Sequence, residues 1–316
     1  MAELYFADEG ALRRYKAKRI AVNVLLYAFL TLFALFMLLP FVLMIVGSLT
    51  EAKSFDTFEQ TADFSYLGFK NWSFSNFEQI FSGKIVNRVT GEITETTSFA
   101  QFYLNTIISA VGSTAVTVVT AVLAAFAFAR LEFKGKNVLF ASLLATMMIP
   151  GELMVLTNYQ TTKVIGWENT FSALIFVHGV SVFYVFYLRQ TFQQIPNELY
   201  LAAKVDGVGD VGYLWKVMVP IAMPTITTII ILSLMGAWNS YVWPMLVANG
   251  SWKYSSNGYD MRLVSTGLMS LFNTQAKGMS AIKIAGSMVV TFPLFVTFII
   301  FRKYIMRGVS RSGIKG

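Results

Sequence analysis

Cysteine does not occur in this 316-residue chain, and histidine occurs once, at His178. The first absence excludes disulfides, thiolate metal sites and cysteine nucleophiles. The second argues against a histidine-based metal centre. Charge is scarce as well: 13% of residues are charged, against about 25% in soluble globular domains. No G-x-x-x-x-G-K-S/T stretch occurs, and "FKGKN" at 133–137 reads only as a turn, so the chain is not expected to hydrolyse ATP by itself. Nor is there a nucleophile–base or metal-ligand constellation, which argues against an enzyme. What the chain has in quantity is apolar surface: 55% hydrophobic residues, 28 phenylalanines and a mean hydropathy of +0.58. That profile is an integral membrane protein.

A helix needs about 20 mainly apolar residues to cross the hydrocarbon core. Six stretches qualify, at 21–46, 105–129, 138–156, 170–188, 221–247 and 282–301. The first is too long for the apolar region of a signal peptide and reads as an uncleaved span. Prolines 40, 150, 224, 244 and 293 lie in or near these spans. Such breaks are tolerated where neighbouring helices re-satisfy the freed backbone groups, which favours a bundle over lone anchors. With the N-terminus inside, segments 1–20, 130–137, 189–220 and 302–316 hold 16 of the 25 Lys and Arg residues. That excess orients both termini to the cytoplasm. The formal charge of +8 is then a topology signal, and nucleic acid is not an expected partner. Two long outer loops remain, 50–104 and 248–281, whose aromatic content favours folded segments that make contacts.

Three features inside this frame bear on packing and function. Ser109, Ser113, Thr117, Ala121, Ala125 and Ala129 recur at i+4, a ridge of small residues suited to close helix packing in lipid, chiefly within the chain. "GVGDVG" at 207–212 imitates a dinucleotide-binding loop, but no strand precedes it and no acid follows at the ribose position, so it is rejected. His178 is an ionisable group inside the fourth span, a functional candidate by default. A neutral, hydrogen-bonded packing histidine is the simpler expectation.

The stretch "ELYLAAKVDGVGD" at 198–210 falls on the cytoplasmic side, between spans four and five. Pro196 is suited to the first turn of a helix over "NELYLAAKV". Gly207 is placed to end it in the left-handed conformation, and Asp210 to cap a second helix running towards Pro220. The reading is helix, sharp turn, helix at the inner face, with small Ala202 and Ala203 allowing another surface to approach.

"IPNELYLAAKVDGVGDVGYLWKVMVPIAMP" at 195–224 resembles the EAA loop of permease subunits of binding-protein-dependent ABC importers. Ala202, Ala203, Asp206, Gly207, Pro220 and Pro224 match its pattern, and Glu198 matches a frequent P-x-E-L. Leu201 stands where that family carries a glutamate, so any contact has to depend on the other residues. "NT" at 105–106, "AFAFARLEFKGK" at 125–136, "MMIPGEL" at 147–153, "WNSYVWP" at 238–244 and the terminal "RGVSRSGIKG" resemble the same family. Together they are similar to its carbohydrate-uptake, MalG-like branch.

The resemblance implies an all-α membrane protein, a six-helix permease of the MetI/MalG-like type with both termini inside. It divides as a cytoplasmic segment 1–20, a first span 21–49, an outer loop 50–104, a five-helix core 105–301 and a cytoplasmic tail 302–316. The core includes a coupling loop at 193–219 and the outer loop 248–281. It implies that Glu198, Leu201, Ala202, Ala203, Asp206 and Gly207 couple the chain to an ATPase, with no catalytic or metal residue of its own. ATP and Mg would be bound by two partner ATP-binding subunits. A second homologous permease, an extracytoplasmic solute-binding protein and the bilayer complete the expected partners, in a bacterial or archaeal cytoplasmic membrane. Polar groups at membrane depth, Asn158, Tyr159, Trp238, Asn239 and Ser240, are candidates for a sugar path, with Trp238 weighted towards a structural role. Trp252, Tyr254, Tyr259 and Asp260 in the outer loop are candidates for contact with the binding protein. Sugars, polyols and glycerol phosphate derivatives all stay open as solutes. A stand-alone secondary transporter, which needs buried ion-coupling charges, is the weaker alternative.

Overall fold

The computed structural model describes residues 9–86, 93–95, 97–273 and 279–310. Helix α1 (Glu9–Leu49) leads into short helices α2 (Ala52–Thr61) and α3 (Ser75–Ser82). Two antiparallel strands, β1 (Lys84–Val86) and β2 (Ile93–Glu95), follow, with Ile85 opposite Thr94. Then come α4 (Phe99–Arg130), α5 (Lys136–Thr146), α6 (Gly151–Val164), α7 (Phe171–Phe176) and α8 (Val182–Gln193). The chain continues through α9 (Asn197–Val205), α10 (Asp210–Tyr213), a π-helical turn (Leu214–Met218) and α11 (Val219–Trp238). It closes with α12 (Val242–Val247), α13 (Val264–Asn273) and α14 (Ser280–Ser310).

Helix α4 is the axis of the bundle, packed between α8 and α11. Its small-residue ridge makes this possible. Thr117, Ala121 and Ala125 are buried, and Val122 and Phe126 beside them meet Leu188, Phe192, Met218, Ala222 and Ile226. Two glycines permit close approaches between α4 and the 175–179 segment. A methyl group on Gly112 would lie 2.7 Å from Ile175, and one on Gly179 would lie 2.5 Å from Val116. The ridge therefore packs inside this chain, as close van der Waals contact in lipid requires.

Helix α1 behaves differently. Its apolar window is 0% buried inside the chain, and only its last turns meet α14 and the short helices. There Asn76 of α3, fully buried, donates to the carbonyls of Ser48 (3.0 Å) and Thr50 (2.8 Å). It supplies partners that the end of α1 cannot find within the helix.

Six unbroken spans are not what the backbone forms. Among the described residues four helical stretches are long and apolar enough to cross a membrane: Arg13–Leu49, Phe99–Arg130, Asp210–Trp238 and Ser280–Arg302. The expected third span is α5 and α6, bent by 96°, because Pro150 disfavours helix at the residue before it and lacks an amide. Counting that pair as one raises the number to five. The expected fourth span is interrupted at 177–181. Thr120 Oγ1 donates to the Gly179 carbonyl there (2.8 Å), and Ser181 restarts the helix by accepting from the Tyr184 amide (3.4 Å). The expected fifth stops at Trp238 and resumes as the six-residue α12.

Pro293 sits inside α14 and cannot donate to Val289 O four residues back. The hydroxyl of Tyr103 from α4 donates to that carbonyl, and Trp238 Nε1 from α11 donates to Val290 O at 3.1 Å. Tyr103 and Trp238 also meet edge to face, 5.4 Å between ring centres.

Candidate functional site

The segment 196–218 closes one end of the bundle. Pro196 takes the cap position of α9, one residue ahead of the expected first turn, and Glu198 lies in that turn, where a negative charge suits the helix dipole. At the other end of α9, Gly207 has φ +74°. Its amide donates to Lys204 O (3.1 Å) and that of Val208 to Ala203 O (2.8 Å), the paired bonds of a left-handed helix stop. Asp206 occupies the cap just before it.

Asp210 does not cap the second helix. Gly209 holds that place, and Asp210 is the first residue of α10. Its carboxylate turns back across the loop instead, accepting from the Tyr200 hydroxyl (2.7 Å) and from Lys204 Nζ (2.7 Å). A charged donor on α9 outcompetes a backbone amide. Hydrogen bonds from Lys204 and then Tyr200 hold the Asp210 carboxyl below its ordinary value, and the same bond raises Lys204 above its own. A depressed carboxylate loses its contribution as pH falls through the lowered value. A raised ammonium loses its contribution as pH rises through the raised one. The clamp therefore stands across the neutral range.

The loop has two faces. Tyr200, Ala203 and Val208 pack against the buried cluster that includes Tyr213, with the Tyr200 and Tyr213 rings 5.0 Å apart. Ala203 thus serves the chain's own core. Glu198, Leu201, Ala202, Asp206 and Gly207 face outward, with Val205 at 88% exposure beside them. This outer face is apolar at Leu201 and Val205, rimmed by Glu198 and Asp206.

Two arginines fix the platform. Arg130, last residue of α4, donates through Nη2 to the carbonyls of Phe192 (2.9 Å) and Ile195, and through Nη1 to Asn197 Oδ1 (3.3 Å). Arg189 of α8 reaches back to α4 by donating to Phe128 O (3.1 Å), its guanidinium 4.0 Å above the Phe140 ring. Each cation sits at a helix C-terminus, which its charge complements.

The other sequence candidates separate into distinct places. Trp238 is held by its bond to α14, while Asn239 is exposed and donates to Met235 O (3.0 Å). Asn158 and Tyr159 lie half-buried on α6, and Tyr159 donates to Glu168 (2.9 Å). Of the first group, Ser240 alone reaches a cleft of about 220 Å³ between α4, α11 and α12. His178 is not a hydrogen-bonded packing residue. It lies exposed on the wall of that cleft, stacked on Trp243 with ring centres 4.9 Å apart. Ser109, Ser113 and Thr117, whose spacing reads as packing, line it too. Trp243 and Ser233 also line it, and sequence reasoning does not single them out. The one signal for them is an intramembrane histidine facing the hydroxyl end of an i+4 ridge.

The outer loop is folded at 248–263. Ser251 bridges Asp260, and Asn169 ties the base through its carbonyl to Lys253 N (3.1 Å) and through Oδ1 to Gly250 N (3.0 Å). Tyr259 and Asp260 are turned inward. Tyr259 donates to Asn105 Oδ1 (2.7 Å), and Asn105 Nδ2 donates to the carbonyls of Asp260 (2.8 Å) and Arg262 (2.9 Å). Burial opposes ionisation of Asp260, but hydrogen bonds from Arg262 and Thr97 outweigh it, so its carboxyl titrates below the ordinary value. Trp252 is half-buried against Phe171, Tyr254 and Tyr259, and Tyr254 is exposed. Residues 274–278 of this loop lie outside the described residues.

Residues 117–311 match the family of binding-protein-dependent transport system inner membrane components. The chain belongs to that family. This inner membrane component is 25% identical over 303 residues to the arabinooligosaccharides transport system permease protein AraQ of Bacillus subtilis, covering 96% of this chain and 98% of that one. It is 26% identical over 301 residues to the polygalacturonan/rhamnogalacturonan transport system permease protein YtcP of the same organism, covering 93% and 98%. Its fold is that of a chain in the crystal structure of a bacterial ABC transporter involved in import of the acidic polysaccharide alginate. The TM-score is 0.74 at 20% identity, over 91% of this chain and 97% of that one. The broken spans described above are thus a multi-pass permease fold.

Proposed function

We propose that this chain is a membrane-spanning subunit of an ATP-driven, binding-protein-dependent importer of oligosaccharides. It crosses the membrane with both termini inside and docks its 196–218 loop on a separate ATP-binding subunit. The observation that carries this is the outward face of α9: exposed Leu201, Ala202 and Val205 end at the Gly207 stop, and Arg130 braces the loop from behind. An apolar patch on a rigid turn is a surface built for a partner. The names of the relatives, an arabinooligosaccharide and a polygalacturonan permease, support a saccharide as the solute. The chain hydrolyses nothing; ATP and Mg belong to two partner subunits. A second permease of the same fold and an extracytoplasmic binding protein complete the complex in the cytoplasmic membrane. The tip of the outer loop at Tyr254 is its contact for the binding protein. Tyr259 and Asp260 hold that tip in place.

Co-purification tests this. A tagged chain extracted in mild detergent brings down a P-loop ATPase and a second permease, and the reconstituted complex takes up a saccharide only when its binding protein is present. Recovery as a lone species that transports without ATP would overturn the proposal.

A further inference from the structure

Two helix breaks meet at one cleft. Residues 177–181 interrupt the span of α7 and α8, and residues 239–241 interrupt the span of α11 and α12. Within a membrane, backbone outside a helix is tolerated only where it is buried in protein or lines a cavity, and discontinuous helices are where transporters place their binding sites. Here both breaks open on the same cleft, with His178 from one and Ser240 from the other on its wall.

The chemistry of that wall is selective. Ser109, Ser113 and Thr117 contribute hydroxyls from α4 and Ser233 contributes one from α11. Ser233 accepts a hydrogen bond from Thr114 (3.2 Å), which leaves its own proton to donate. Neither ring nitrogen of His178 has a partner among the described residues, and buried Trp243 is fixed behind the imidazole by its bond to Ala173 O (3.0 Å). No carboxylate and no Lys or Arg lines the cleft among the described residues, so it offers no charge pair for a bare ion. Ser113 donates to Ala110 O (3.3 Å), which leaves its oxygen to accept, and an apolar solute would use neither this hydroxyl nor that of Ser233. A sugar meets both halves of the surface, its hydroxyls pairing with the serines and its C–H face lying on the supported ring.

We propose that this cleft is a saccharide-contact surface of the translocation path, with His178, Ser113 and Ser233 as its hydrogen-bonding groups and Trp243 as the support. The inference rests on the importer reading above. At about 220 Å³ the cleft is smaller than the roughly 300–1,000 Å³ of a self-sufficient ligand pocket. It therefore forms one wall, seating a single sugar ring, and the second permease supplies the opposite side.

The chain's lack of cysteine allows a direct test in the assembled complex with its binding protein and ATP. Ser113→Cys and Ser233→Cys are made singly, with Ser65→Cys, exposed in the 50–104 segment, as the control. Each is reacted with a trimethylammonium methanethiosulfonate in the presence of arabinotriose, maltotriose, an alginate trisaccharide or glycerol 3-phosphate. One of the saccharides slows labelling of both cleft cysteines about tenfold at ten times its half-saturating concentration, by simple occupancy, and leaves Ser65→Cys unchanged. His178→Phe keeps the ring and removes the polar nitrogens, and it raises the half-protecting concentration about fivefold. Labelling indifferent to every saccharide, in a complex that still takes one up, overturns the cleft assignment and leaves the importer intact. Cleft cysteines that never react while the control does, or that only glycerol 3-phosphate protects, overturn it as well. Failure of the importer reading shows elsewhere, as absence of a co-purifying ATPase.

Discussion

Gly207 carries the sharpest consequence of any single residue. Its φ of +74° is a conformation in which a side chain is costly, yet a Cβ there would meet nothing within 4 Å. A substitution therefore strains the backbone without a clash, at about 1–2 kcal/mol, and reshapes the outer face of α9 alone. Gly207→Val is expected to assemble at near-normal yield while ATP hydrolysis stimulated by the loaded binding protein falls about tenfold. Assembly with full stimulation would show that the turn does not dock. Gly207 and Asp206 are legible in the sequence because a helix stop is a local signal, carried by adjacent residues. The role of Asp210 is not, because its partners, Tyr200 and Lys204, lie on the preceding helix, and only the folded turn brings them within 2.7 Å. The indole of Trp238 holds a carbonyl next to the one that Pro293 orphans, a contact between residues 52 apart that no local pattern announces.

Among elements, the existence of apolar helices is readable and their continuity is not. Hydropathy averages over a window, so a five-residue break such as 177–181, whose His178 and Ser181 are diluted by apolar neighbours, leaves little trace in it. Pro150 gives the bend between α5 and α6 its one visible cause. The junction of α4 with α8 and α9 depends on side chains that composition cannot rank, above all Arg130. Its fork spans Phe192, Ile195 and Asn197, a reach that lysine's single ammonium cannot copy. Arg130→Lys is expected to keep the charge and the fold but to loosen the platform beneath α9. The measurement is sugar moved per ATP hydrolysed, which drops about tenfold, in line with the loss of hydrogen bonds from a charged donor. An unchanged ratio would assign Arg130 to stability alone.

For the whole molecule, the apolar surface has two different solvents. Phe33 in the middle of α1 is 53% exposed and Val205 on α9 is 88% exposed; burial alone would rank Val205 as the more tolerant by little. Their surroundings differ far more. A cation at the centre of a spanning helix costs about 2.5–3.5 kcal/mol on insertion scales, whereas one at an aqueous loop costs almost nothing to insert. Phe33→Arg is expected to lower the membrane-inserted yield several-fold, and Val205→Arg to leave it unchanged, as read by the membrane fraction of a tagged chain. Equal yields would mean that α1 does not lie in lipid. This division is the part most legible from composition, because it depends on counts of apolar and basic residues rather than on contacts.

The proline inside α14 has a mechanical consequence. Side chains from α4 and α11 hold the carbonyls of Val289 and Val290 near it, so α14 cannot slide past those helices without releasing both. In the proposed importer, those bonds would tie the three helices together during any rotation. On that reading, bending would fall to the breaks at 177–181 and 239–241, the same places where the hydroxyl-lined cleft opens.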